Sequence, residues 1–275
     1  MVVINEIALE ILKMSTENEY SQGVPANSAP APAPKSASGA RNFEALRERT
    51  RGARAEQLLK FAAEEFAGKV VFSTSLSAED QIITDIIARN RLEIPIVTLD
   101  TGRLFEETYQ LLAETEKFFG LRIRVFSPDT RELEEMVSAH GINLFRESIE
   151  LRRLCCRVRK INPLRRALRG NELWICGQRR EQSVTRAQID ELEEDPANAM
   201  LKLNPLAAWS GQSVRSYVAL RGLPYNRLHD VGFPSIGCAC CTRAVRWTED
   251  VRAGRWWWEP AEKRECGLHG RNVHS

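Results

Sequence analysis

Five of the seven cysteines in this 275-residue chain fall in two short segments, so its most specific chemistry is that of thiolates. Cys155 and Cys156 are adjacent within RRLCCRVRK, and Cys238 and Cys241 form a CxxC within IGCACCTR. Four soft sulfur donors from two paired sources suit zinc or an iron–sulfur cluster. Structural zinc usually draws its paired ligands from positions two to four residues apart, whereas neighbouring cysteines can span the separated irons of a cubane. Cys240 adds a third thiol to the second segment and leaves open which two of the three ligate. A cluster on four thiolates is net anionic and needs compensation when partly buried. Arg152, Arg153, Arg157, Arg159, Lys160 and Arg243 flank these cysteines. Lys160 lies four residues after Cys156, which on a helix puts both on one face. Cys176, inside the apolar run LWIC, reads as a small buried hydrophobe.

Cys266 stands apart, in ECGLHG, after the tryptophan run 256–258. A thiol beside glycine near the end of the chain can meet a partner protein in a way that a core thiol cannot. His269, Lys263 and Arg264 favour its thiolate.

Short β-type runs alternate with helical patterns from residue 42 onward. Residues 69–74 (KVVFST) predict a strand, followed by a helix carrying Ile82, Ile83, Ile86 and Ile87 on one face. Residues 94–100 (IPIVTLD), 121–127 and 172–177 (ELWICG) predict three more strands, with a helix over 104–119. Such alternation implies right-handed crossovers and an α/β fold, a mostly parallel sheet flanked by helices. Ligands in such sheets bind beyond the carboxyl ends of the strands. The segments there carry Ser73, Ser75, Ser77, Asp100, Thr101, Gly102, Arg103 and the pair Arg179-Arg180. Hydroxyls and free amides at a helix start, together with arginines, suit an anionic nucleotide. Ser77 equally suits a helix cap, with Glu79 and Asp80 in the first turn. No GxxxxGK[ST] occurs, which argues against a P-loop ATPase.

Composition sets outer bounds. The 39 basic and 37 acidic residues nearly cancel, giving +2, and 43% of the chain is hydrophobic. That excludes wholesale disorder and argues against a general nucleic-acid binder. No apolar stretch is long enough for a membrane span and no export signal is evident, so a cytoplasmic protein is expected. Residues 21–40 are nearly all Ala, Pro, Ser and Gly. The expected organisation is an extension over 1–40, a nucleotide- and cluster-binding domain over 41–250 and a C-terminal segment over 251–275 carrying Cys266. Composition leaves a homo-oligomer open.

Seven motifs in order carry a family resemblance: FSTSLSAEDQ (72–81), LDTGRL (99–104), CCRVRKINPL (155–164), GQRREQSVTRA (177–187), GCACCTR (237–243), AGRWWWE (253–259) and ECGLH (265–269). From about residue 42 to 269 the chain resembles the assimilatory sulfonucleotide reductases, in their iron–sulfur adenylyl-sulfate (APS) branch. The resemblance implies an adenine-nucleotide α-hydrolase-like fold and a [4Fe–4S] cluster on Cys155, Cys156, Cys238 and Cys241. It implies that Cys266 is the nucleophile, with thioredoxin or a glutaredoxin-like protein as the donor. It also implies that the serine loop, LDTGR, Lys160, Arg186, Arg252 and Arg255 surround the phosphosulfate. Relatives acting on the 3′-phosphorylated substrate (PAPS) generally lack the CC and CxxC pairs, so having both favours APS. The rival readings are a reductase preferring PAPS and a nucleotide-binding iron–sulfur sensor. The extension, Cys176 and Cys240 depart from the family's pattern.

Overall fold

The computed structural model describes residues 42–182 and 186–260. The expected extension over 1–40 lies outside them, as does Cys266. Two helices open the described chain, α1 (Phe43–Thr50) and α2 (Ala55–Glu65), the first capped by Asn42, whose side chain accepts the Ala45 N–H. The strand β1 (Val70–Thr74) follows, then α3 (Ala78–Arg89), β2 (Ile96–Leu99), α4 (Glu106–Phe119), β3 (Arg124–Phe126) and α5 (Thr130–His140). All four expected strands form. They are shorter than their apolar runs because Pro95 lacks an N–H for the ladder and because β3 is a three-residue edge strand.

The next helix, α6 (Ile149–Cys156), is capped by Ser148 and ends on the two adjacent cysteines. It runs directly into a π-helical turn, Arg157–Ile161, and then α7 (Asn162–Leu168), with Pro163 at its start. β4 (Leu173–Ile175) returns to the sheet. A hairpin follows that the sequence pattern does not disclose, β5 (Leu192–Asp195) and β6 (Met200–Leu203), and then α8 (Gly211–Arg221).

The sheet order is β3-β2-β1-β4-β6-β5. Every pairing is parallel except that of the outermost β5 with β6. The chain moves outward from β1 through β2 to β3 and then crosses back to place β4 on the other side of β1. The order in which the chain adds strands therefore reverses between β1 and β4, which is where open α/β sheets hold their ligands. Val70 and Phe72 face a core with Leu58, Leu59, Ile82, Ile83 and Ile175. Val71 faces the opposite side, with Val97, Leu164, Leu168 and Trp174. This alternation is the two-residue period of a strand buried on both faces. A third cluster lies apart from the sheet: Leu144, Phe145, Val158 and Trp256 pack around the four cysteines of the CC and CxxC segments.

Candidate active site and cysteine centre

Cys155, Cys156, Cys238 and Cys241 are each 7–8% exposed and none is in a disulfide. With Arg103, Phe145, Arg152, Arg159, Lys160 and Cys240 they line one cavity. Two distant segments are thereby joined as the sequence expects. The π-helical turn winds more widely than an α-helix, yet four residues still bring Lys160 round to the side of Cys156. The same turn buries Arg159, which donates from Nη1 to the Thr101 carbonyl at 2.7 Å.

The LDTGR segment reaches this cavity from the end of β2. Thr101 Oγ1 lies 3.3 Å from Cys238 Sγ, and the Arg103 carbonyl accepts the Ala239 N–H at 2.8 Å. Gly102 sits at φ +67, a conformation that disfavours side chains, next to the Arg159 guanidinium. Asp100 Oδ1 accepts the Gly102 N–H and the Tyr109 hydroxyl, both at 2.7 Å. Burial, then the Asp100 carboxylate, pushes the Tyr109 phenol up to about 12, so it remains a donor.

Compensating charge is distributed unevenly. Arg152 is fully buried and pairs with Glu259 through two hydrogen bonds of 2.9 and 2.8 Å, stacking on Trp256 at 4.9 Å. Arg159 and Lys160 line the cavity, whereas Arg153 and Arg157 are exposed. Arg243 pairs with Glu249, whose carboxyl that bond holds down to about 2. Burial pushes the Cys155 thiol up and Arg159 opposes it. Cys240 Sγ and Cys241 Sγ are 3.7 Å apart. Their mutual hydrogen bond holds Cys240 down, with Arg103 adding to it, and pushes Cys241 up.

The described part of the C-terminal segment packs into this lobe. Thr242 and Arg255 form a bridge, and the Trp256 N–H donates to the Cys241 carbonyl at 3.2 Å. Arg255 is buried, donates to Ser235 Oγ and the Ile236 carbonyl, and stacks on Trp256. Arg252 is half-buried, its N–H on Asp250. Gly254 is required: a Cβ there would fall 2.2 Å from the Arg243 carbonyl.

The serine loop closes the β1 end of the crevice. Ser73 Oγ accepts the Trp174 indole N–H at 2.6 Å, and Ser77 caps α3 by accepting the Asp80 N–H at 3.3 Å. Ser75 is exposed, and its N–H and hydroxyl both donate to Asp80 Oδ2. Beyond β4, Arg179 Nε and Gln182 Nε2 donate to Glu79 Oε1, and Arg186 donates to Gln182 Oε1. Arg186 is thus tied through Gln182 to the first turn of α3. Cys176 is buried, with its S–H on Asn204 Oδ1, and burial pushes it up to about 12, an inert thiol.

Residues 69–244 match the family model described as the phosphoadenosine phosphosulfate reductase domain. An adenosine 5′-phosphosulfate reductase of Allochromatium vinosum is 50% identical over 222 residues, 81% of this chain and 86% of that one. The chain belongs to the sulfonucleotide reductase family, in its adenosine 5′-phosphosulfate branch. It is an oxidoreductase. A second reductase of that name, from Agrobacterium fabrum, is 51% identical over 202 residues, 74% of this chain and 78% of that one. The fold is also that of a solved structure, phosphoadenylyl-sulfate reductase from Candida auris in a phosphate complex. Its TM-score is 0.63 at 23% identity, covering 74% of this chain and 96% of that one.

Within this reductase, the contacts made by four residues are not legible in the motifs. Arg159 reads as one flanking cation among several, yet it alone bridges the LDTGR turn to the cysteine helix among the contacts described above. Tyr109 fixes Asp100, Trp256 packs against the cysteines, and Asp80 holds Ser75. An ETY triplet one helical turn past LDTGRL was the available signal for Tyr109. No helix of the described residues is long and apolar enough to cross a membrane.

Proposed function

We propose that this chain reduces adenosine 5′-phosphosulfate to sulfite and AMP, with Cys266 as nucleophile and a thioredoxin-type dithiol as electron donor. The observation that carries the reading is the junction of the LDTGR turn with the cysteine cavity: Thr101 against Cys238, and Arg159 on the Thr101 carbonyl. It gives an anion arriving at the strand ends a cationic wall of Arg103, Arg159 and Lys160. The relatives named above at about 50% identity support the substrate.

The residues fit a [4Fe–4S] cluster on Cys155, Cys156, Cys238 and Cys241. The four thiols surround a cavity, which suits a polynuclear group. Two buried donors, Arg159 Nε and Trp256 Nε1, have no partner among the described residues and belong to the same lobe, where cluster sulfurs would accept them. When bound, the cluster supplies a compact anionic charge and a rigid anchor for the helix carrying Lys160.

The chain's own groups do the rest. Ser75, the LDTGR segment, Lys160, Arg186, Arg252 and Arg255 bind and neutralise the phosphosulfate, so that the Cys266 thiolate is not repelled as it approaches. The thiolate attacks the sulfur, the S–O bond to the phosphate breaks, and AMP leaves with that electron pair. Cys266 is left as an S-sulfonate. A donor thiolate then attacks Cys266 Sγ and sulfite departs. The donor's second thiol resolves the mixed disulfide, supplying the two electrons.

The test is sulfite formation from APS against PAPS with reduced thioredoxin, together with the mass of the intermediate. Cys266→Ser should lose sulfite release entirely and keep AMP binding. Turnover by that variant, or SO3 mass on another residue, would refute the assignment.

A further inference from the structure

A carboxylate occupies the place on the serine loop where an anion is expected. Asp80 is 4% exposed, yet its Oδ2 accepts the N–H of the exposed Ser75 at 2.6 Å and the Ser75 hydroxyl at 2.7 Å. Its Oδ1 lies against Gly177 at the end of β4, where a Cβ would fall 2.3 Å away. Asp80 therefore sits between β1 and β4, where the strand order reverses.

We propose that the substrate's phosphate takes over both Ser75 donors from Asp80, and that the displaced carboxylate takes up a proton from solvent, making anion binding and protonation of Asp80 one coupled step. The inference rests on reading this loop as the phosphate site. Once the phosphate holds both Ser75 donors, the buried carboxylate keeps only the Ser77 hydroxyl beside a second anion, and it can move, meet a cation or protonate. Movement toward β4 is limited by Gly177, against which Asp80 Oδ1 already lies. Among the described residues no cation pairs with Asp80. On its own helix Glu79 adds negative charge and is itself held by Arg179 at 2.8 Å. Facing it from just past β4, Cys176 is a neutral thiol. Farther off, Lys202 on β6 bonds Gln178 and pairs with Glu193 at 3.7 Å, and Arg186 is held by Gln182. A proton is what remains. Burial already pushes the Asp80 carboxyl up to about 6, against the hydrogen bonds from Ser75, so losing those bonds to an incoming anion drives it higher.

The sign follows. Binding takes up protons at pH values between the free and bound titration points, so affinity for the anion falls as pH rises above about 6, by up to about tenfold per pH unit. The experiment is calorimetric titration of APS into the full-length Cys266→Ser protein, which binds without turning over, in two buffers of different ionisation enthalpy from pH 6 to 8. The phosphosulfate has no group titrating in that range, so the buffer difference counts protons taken up by the protein. Net uptake in the parent, lost in Asp80→Asn while APS still binds, is the expected result. Affinity independent of pH in the parent, or uptake undiminished in Asp80→Asn, overturns the coupling; should Asp80→Asn fail to fold, the parent's pH profile decides alone. Ser75→Ala separates the two layers. Unchanged affinity there refutes the handover of the Ser75 hydroxyl and the proposal with it, whereas lost affinity without proton uptake in the parent leaves the loop as the site and sinks only the coupling.

Discussion

Arg152 and Glu259 are 107 residues apart in sequence and bury opposite charges at 0% and 3% side-chain exposure. Such a pair contributes little compared with apolar packing, but breaking it is costly because the survivor stays buried and charged. Glu259→Ala should cost about 3–5 kcal/mol of stability by urea unfolding, and Glu259→Gln less, since an amide still accepts a hydrogen bond from the guanidinium. Asp80 gives a second prediction on its own. Its carboxyl titrates near 6 in the folded chain and near ~3.9 when unfolded, so between those values the folded state binds more protons. Stability contributed by Asp80 therefore declines as pH rises from about 4 to 6, by about 3 kcal/mol in all, and stays lost above that window. The difference in unfolding midpoint between the parent and Asp80→Asn should follow this slope across that range.

The elements explain how far the sequence could be read. KVVFST and IPIVTLD announce their strands because both faces of β1 and β2 are buried, so the apolar run is nearly unbroken. The β5–β6 hairpin is silent because LEED and MLKL carry charge where a buried strand should not. Lys202 is tolerated there only through Gln178 and Glu193, partners that no local pattern reveals. Thiol pairing could be read from residue type, since four cysteines in two segments have few other uses. The burial of Arg159 could not, because it depends on a π-helical turn that changes which side chains face inward. Gly177 shows the same limit: it reads as an ordinary turn glycine, yet its missing Cβ makes room for Asp80. Gly177→Ala should push Asp80 and the serine loop aside, weakening AMP binding at least tenfold for a stability loss of about 1–3 kcal/mol, measured by calorimetry and urea unfolding on the same preparation.

For the molecule as a whole, a formal charge of only +2 conceals a strong local imbalance. Cations gather at the strand ends and the cysteine lobe, while much of the remaining charge sits in surface pairs such as Arg49–Glu65 and Lys60–Glu56. Those pairs add little stability. Cations lining a crevice favour an anionic ligand there, and salt screens that attraction. The Kd for APS should rise several-fold between about 0.05 and 0.2 M ionic strength, whereas the unfolding midpoint should move far less.

The outermost strand, β5, has a consequence of another kind. Its Glu193-Glu194-Asp195 run borders the sheet with carboxylates, and Glu194 is exposed. A second sheet approaching that border would have to set like charges side by side, so the fold carries its own deterrent to open-ended fibril growth. Relieving it, as in Glu194→Val, should be felt in solution as turbidity at high concentration before any change in catalysis is seen.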